Sequence, residues 1–200
     1  MAMSRGRVLV LVGVVAVGAI LVIGLSQAGT KNTPPVPNKF DAAAAQRALA
    51  GAPAPLADLH RQANLLLPGS KSVFAARLAA LKGHPVVVNK WASWCGPCRY
   101  EFPFLQRNSV RFGKQVAFLG LDSGDNDGDA QAFLKKFPLT YPSYIDRKTR
   151  VAQSLEIGKN YPTTMYYDAA GKLQYIHQGL YSTPEALAAD IQRYALGRPA

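Results

Sequence analysis

Val86-Val87-Val88-Asn89-Lys90-Trp91-Ala92-Ser93-Trp94-Cys95-Gly96-Pro97-Cys98 is the stretch on which the reading of this chain turns. Its first half continues an apolar run from Pro85, the pattern of a short strand buried on both faces. Its second half holds the only two cysteines of the chain. A Cys-x-x-Cys that closes a strand and opens a helix reads as a redox pair. The thiolate is the nucleophile in disulfide exchange, and a cysteine at a helix N-terminus has that charge stabilised by the helix dipole and free backbone N–H groups. Cys95 is therefore expected to attack, and Cys98, almost one turn on, to close the pair and release what Cys95 has captured. Gly96 and Pro97 are expected to keep the turn tight.

Other uses of two cysteines fit less well. A structural zinc site needs about four ligands, and His60, His84 and His177 are scattered singly. A purely structural disulfide between residues three apart would remove little entropy from the unfolded chain. The sequence thus calls for no metal and no cofactor beyond a redox-active Cys95–Cys98 disulfide.

Working outward, the 200 residues fit one domain with appendages. Arg5 and Arg7 precede Val8–Leu25, eighteen residues without a charge. That run is near the lower limit for a bilayer span and longer than the apolar core of most cleaved signal peptides, so an uncleaved anchor is expected. Ser26-Gln27-Ala28 offers a cleavage site as the alternative. The preceding arginines hold the N-terminus in the cytoplasm and place everything after Leu25 outside it. No G-x-x-x-G appears in the span, which predicts a monomer.

The formal net charge is +11. Its lysines and arginines are dispersed rather than clustered, which excludes a nucleic-acid footprint and leaves general attraction to anionic lipid or acidic partners. Residues 1–28 read as cytoplasmic stub and anchor, 29–52 as a spacer rich in Pro34, Pro35 and Pro37 with a short helix over 40–50, and 53–200 as the folded domain. Within it, spacing predicts a helix over 70–82 and one over 95–111 with Phe102, Leu105 and Val110 inward and a kink at Pro103. Strands are expected over 115–121 and 141–145, with a short helix over 149–156. Asp122, Asp125, Asp127 and Asp129 lack the glycine and the glutamate of a calcium loop, so a solvated turn is predicted, with Asp129 capping a helix over 130–137. Thr163–Tyr167 and Leu173–His177 flank Asp168-Ala169-Ala170-Gly171 as a hairpin. Ser182-Thr183-Pro184-Glu185 opens the last helix with a capping-box glutamate. This order gives an α/β domain with a central mixed sheet flanked by helices.

Trp94-Cys95-Gly96-Pro97-Cys98, then Glu101-Phe102-Pro103, then Tyr161-Pro162-Thr163-Thr164 ahead of the hairpin, together resemble the thioredoxin fold. More narrowly the chain looks like the membrane-anchored TlpA/ResA group of bacterial thiol-disulfide oxidoreductases. The resemblance implies that Pro162 is a cis-proline beside the cysteines and that Tyr161 offers backbone to a substrate strand. It implies that Glu101, one turn beyond Cys98, accepts protons or tunes the pair; Trp94 is expected either in the partner-docking surface or packed in the core. Asn89 departs from thioredoxin, which has a buried aspartate there; an amide does not titrate, so Glu101 becomes the better proton acceptor. Lys90, in an apolar strand, is expected to carry its ammonium to the surface.

The implied activity is reduction of disulfides in exported proteins, such as apocytochrome c or copper-site proteins. Electrons would come from a membrane protein that carries reducing equivalents outward. The Gly-Pro dipeptide is that of thioredoxin, whose potential of about −270 mV marks a reductant. A disulfide-forming oxidant or isomerase, and a copper-delivery protein using the two thiolates, remain the alternatives.

Overall fold

A computed structural model of the chain describes residues 40–199. The sequence from Val86 to Trp91 forms β2, and all six residues are buried. A strand sandwiched between helices needs apolar side chains on both faces, which accounts for the unalternating Val-Val-Val run. Three parallel neighbours lie to one side and an antiparallel hairpin to the other: β1 (Leu66–Pro68), β4 (Ser143–Asp146), β3 (Ala117–Ser123), β2, β5 (Thr163–Tyr167) and β6 (Leu173–Gln178). Val86 pairs with Ala117 on β3 and with Tyr167 on β5. The central mixed sheet is therefore the expected one, and β6, largely exposed, is its edge.

Helices cover both faces. One core gathers Trp91, Phe102, Leu105, Phe118, Phe133, Leu187 and Ile191, from β2 and β3 together with α4 (Gly96–Phe112), α5 (Asp127–Lys136) and α7 (Pro184–Asp190), which runs on as a π-helical turn over Ile191–Ala195. The other gathers Leu56, Leu59, Phe74, Val88, Leu119, Leu121 and Val151, against α2 (Ala54–Arg61), α3 (Lys71–Ala80) and α6 (Arg150–Ser154). Gly120 is required between the faces: a Cβ there would lie 2.0 Å from Ser143 Oγ, the acceptor of Trp91 Nε1–H.

Helix α1 (Ala42–Leu49), whose Ala45 and Leu49 are buried, lies in the same compact unit as the rest of the described residues. The short helix expected over 40–50 is thus present, with one face packed. Helix α2 carries Pro53 and Pro55, residues that break a helix interior. They stand at its N-cap and first turn, where proline's missing N–H costs nothing.

Three local expectations are corrected. Asn126, not Asp129, caps α5: its side chain accepts from the Asp129 N–H, and Asp127 and Asp129 lie in the first turn, favoured by the dipole. Thr183, not Ser182, caps α7, which puts Glu185 at the second helical position, one short of a capping box. Val110, expected inward on α4, is half-buried beside α1. Among the described residues no helix is long and apolar enough to cross a membrane, and the expected span Val8–Leu25 lies outside them.

Candidate functional site

The cysteines sit where the chain leaves β2 for α4. Cys95 is the N-cap of α4, with extended backbone, and its Sγ accepts from the Cys98 N–H at 3.0 Å. Gly96 and Pro97 fill the first two helical positions, exposed to solvent. A Cβ on Gly96 would meet open space. This glycine is thus not needed for a tight turn; it leaves bare surface beside the sulfurs. Cys95 and Cys98 form a disulfide, with Cα atoms 5.2 Å apart. Cys95 is 3% exposed and Cys98 fully buried, so only the first sulfur borders solvent.

The loop ahead of the pair is held by the loop after β3. Asp125 accepts from both the backbone N–H and the hydroxyl of Ser93, and Trp94 Nε1–H donates to the Gly124 carbonyl at 3.0 Å. Trp94 is 59% exposed despite this anchor. A large apolar side chain fixed at its polar end and open on its face is suited to docking. Beside it runs a groove of about 450 Å³ lined in part by Ser93, Arg99, Phe133 and Lys136.

The Tyr161–Pro162 bond is cis. Thr163 pairs with Lys90, which sets Pro162 level with Trp91, at the strand end from which the cysteine loop departs. The Tyr161 ring packs edge-on against Trp94 at 4.9 Å, and its hydroxyl donates to the Ser123 carbonyl at 2.8 Å. The positions singled out in the sequence therefore converge on one end of the sheet.

Glu101 is buried under this end, one turn beyond Cys98 on α4. Its carboxylate accepts from Asn89 Nδ2–H at 2.8 Å and from the Tyr181 backbone N–H at 3.0 Å. Burial pushes its pKa up to about 7, against the pull of those two bonds. Asn89 also donates to Thr164, while its own amide oxygen has no partner. Flipping that amide would let it accept from the protonated acid, so both charge states of Glu101 can be satisfied.

Two buried groups were not anticipated. Asp122, expected in a solvated turn, is the penultimate residue of β3 at 1% exposure; burial first, then the charges of Asp125 and Asp127, push its pKa up to about 8. Lys90, expected to reach the surface, is 1% exposed, with Nζ 2.6 Å from the Gly158 carbonyl and 4.0 Å from the centre of the Tyr161 ring. The available signal was a charge near the end of each apolar strand, but the sequence does not reveal that helices close over both faces there. Among the described residues, no group of three or more His, Cys, Asp or Glu side chains is placed to hold a metal ion.

The AhpC/TSA family profile matches residues 53–176. The chain belongs to the AhpC/TSA family. Among curated relatives, the thiol-disulfide oxidoreductase ResA of Geobacillus thermodenitrificans is 34% identical over 104 residues, 52% of this chain and 59% of its own. The thioredoxin-like protein YneN of Bacillus subtilis is 32% identical over 122 residues, 60% of this chain and 68% of its own. The chain thus spans about three fifths to two thirds of the length of these relatives. A crystal structure of a Chlorobium tepidum protein assigned as the thiol:disulfide interchange protein DsbE superposes with a TM-score of 0.54 at 29% identity, over 58% of this chain and 84% of that one. A DsbF homologue of Corynebacterium diphtheriae gives 0.50 at 27%, over 57% and 74%. The thioredoxin-like α/β fold that the motifs implied is the fold of this AhpC/TSA chain.

Proposed function

We propose that the chain is an extracytoplasmic protein thiol-disulfide oxidoreductase, working as a disulfide reductase on exported proteins. The observation that carries the reading is the Cys95–Cys98 disulfide at the N-terminus of α4, where Cys95 Sγ already accepts a backbone N–H. A donor that stabilises a thiolate lowers the thiol pKa and makes Cys95 both nucleophile and good leaving group. In the reduced form the Cys95 thiolate attacks a partner disulfide, forming one S–S bond and expelling a partner thiolate, which takes a proton. Cys98, deprotonated, then attacks Cys95 Sγ and releases the second partner thiolate. The partner gains two electrons and two protons, and the enzyme is left oxidised.

Glu101, with a pKa near neutrality, is the acceptor for the Cys98 proton. Trp94, Gly96, Pro97, Tyr161 and Pro162 form the surface that meets the partner strand. The enzyme is recharged by a membrane protein that carries two electrons outward, with the span Val8–Leu25 holding the domain, as a monomer, outside the cytoplasm. Apocytochrome c and copper-site proteins are the substrate classes consistent with a single-pair reductase in that compartment.

Equilibration of the full-length chain with glutathione and dithiothreitol buffers tests the direction. A potential near about −270 mV supports a reductase, and a markedly higher one overturns it in favour of an oxidant or isomerase. Replacing Cys98 with serine should trap partners on Cys95 as mixed disulfides; recovery of none would remove the exchange mechanism itself.

A further inference from the structure

Asn89 and Lys90 are neighbours on β2, so their side chains leave opposite faces of the sheet. Asn89 reaches Glu101 beneath the cysteines, whereas Lys90 reaches the loop that leads into Pro162. We propose that Lys90 is a positioning residue for the partner polypeptide: it fixes Tyr161 and the 158–161 loop, and so sets affinity for a peptide disulfide without entering the thiol chemistry. This rests on the oxidoreductase reading and names what, within that site, governs recognition of a polypeptide.

The argument begins from cost. A buried ammonium is strongly disfavoured unless it is paired and hydrogen-bonded. Lys90 meets that need with the Gly158 carbonyl at 2.6 Å and the face of Tyr161 at 4.0 Å, helped by through-space attraction to Asp146 at the end of β4, with which it forms no direct ion pair. Asp146 is itself committed, accepting from the N–H groups of Val151 and Ala152 and from the Ser123 hydroxyl. It cannot follow Lys90 if the lysine moves. Tyr161, in turn, is clamped from three sides: Lys90 on its face, Trp94 at its edge and the Ser123 carbonyl on its hydroxyl. An aliphatic residue at position 90 would satisfy the core while releasing one clamp on the residue that precedes Pro162.

The clamp depends on charge. Burial pulls the Lys90 pKa down to about 8, opposed by Asp146, so the ammonium is lost just above neutral pH. Asp146 and Tyr161 are the titratable groups that face it. The phenol of Tyr161 is held above its ordinary value by burial and does not ionise in that range.

The test compares the full-length chain in detergent with Lys90→Met, reducing either a disulfide-bonded peptide or hydroxyethyl disulfide under dithiothreitol recycling. Lys90→Met should raise KM for the peptide about 10- to 30-fold, the loss of a desolvated cation–π contact, with kcat and the small-disulfide rate unchanged. In the wild type, the ratio of kcat/KM for peptide over small disulfide should fall as pH rises through about 8, since thiolate ionisation cancels in that ratio, and it should be flat in the variant. An unchanged peptide KM, or equal losses on both substrates, overturns the assignment. Should the variant fail to fold, a wild-type ratio independent of pH overturns it alone. If the wild type reduces neither substrate, the oxidoreductase reading fails and the Lys90 assignment falls with it.

Discussion

Replacing Glu101 with glutamine should make the oxidised chain more stable in mild alkali while leaving it little changed in mild acid. The carboxyl is buried, and its pKa is pushed from 4.5 up to about 7. A group held protonated by the fold contributes stability that is fully present below its unfolded pKa and is lost as pH rises through the folded one. For this pair of values the loss is about 3 kcal/mol, most of it between about pH 5 and 7.5. Glutamine carries no such dependence. Its carbonyl can accept from the Tyr181 N–H, and its NH₂ can donate to the unpartnered amide oxygen of Asn89 once that amide flips. The hydrogen bonds are thus conserved while the charge is removed. Urea unfolding of wild type and variant across this range isolates Glu101, because every other titrating group cancels in the difference. The variant should gain steadily with pH, reaching about 3 kcal/mol near pH 8. Parallel curves would refute the buried, proton-binding role. In the reduced chain the same substitution should shift the thiolate titration, and an unchanged titration would separate Glu101 from the cysteines.

Asp122→Asn should behave with the same sign at higher pH. Asp122 is raised from 3.8 to about 8, so the wild type loses stability as pH climbs through that window, and the variant's advantage should grow up to about pH 8 and then level off; thermal melts between pH 6 and 9 check this. Asp125→Ala removes the acceptor for both Ser93 donors and should destabilise the chain by about 2 kcal/mol in urea unfolding, since two charge-assisted bonds are lost and a backbone N–H is left unpaired. The same variant should raise the hydrogen-exchange rate of the Ser93 and Trp94 amides above that of the rest of the sheet; uniform exchange would mean Asp125 does not hold the loop.

What could be read from the sequence is what local signals specify. The unbroken Val86–Val88 run announces a doubly covered strand, Ser70 caps a helix where a hydroxyl precedes apolar periodicity, and the Asp168–Gly171 turn fixes the hairpin. Strand β1 escaped because Leu66–Pro68 is three residues long and gains its pairing from β4, far along the chain. Asn126 and Asp129 are both good caps three residues apart, and only the packing of Ala130 and Phe133 decides which one starts the helix. At the site, the helical spacing of Cys98 and Glu101 was legible, but the burial of Glu101 is a tertiary matter: the backbone N–H that meets its carboxylate belongs to Tyr181, eighty residues away. For Lys90 and Asp122 the difficulty is greater. Charged residues near strand ends ordinarily reach solvent, and nothing local says that the loops of Gly158 and Asp125 close over them.

Those buried charges share an origin in the crossover topology. Strands β2 and β3 run parallel, so the loops that leave them, over 92–95 and 124–126, meet at the same end of the sheet, and the strand residues beneath are covered from both faces. The two sides then divide the work. On the α4 side, Asn89 holds the buried carboxyl of Glu101 one turn beyond Cys98, where the proposed mechanism has Glu101 take the Cys98 proton. On the α6 side, Lys90 and Asp146 lie beneath Tyr161 and can alter only how a partner chain is held. The sheet separates the two groups, so on the proposed roles Glu101, pushed up by burial to about 7, would govern the pH dependence of the thiol chemistry, and Lys90, pulled down by burial to about 8, that of partner affinity. An enzyme built this way would lose grip on polypeptide disulfides in mild alkali while its thiols became more reactive, and small disulfides would report only the second effect.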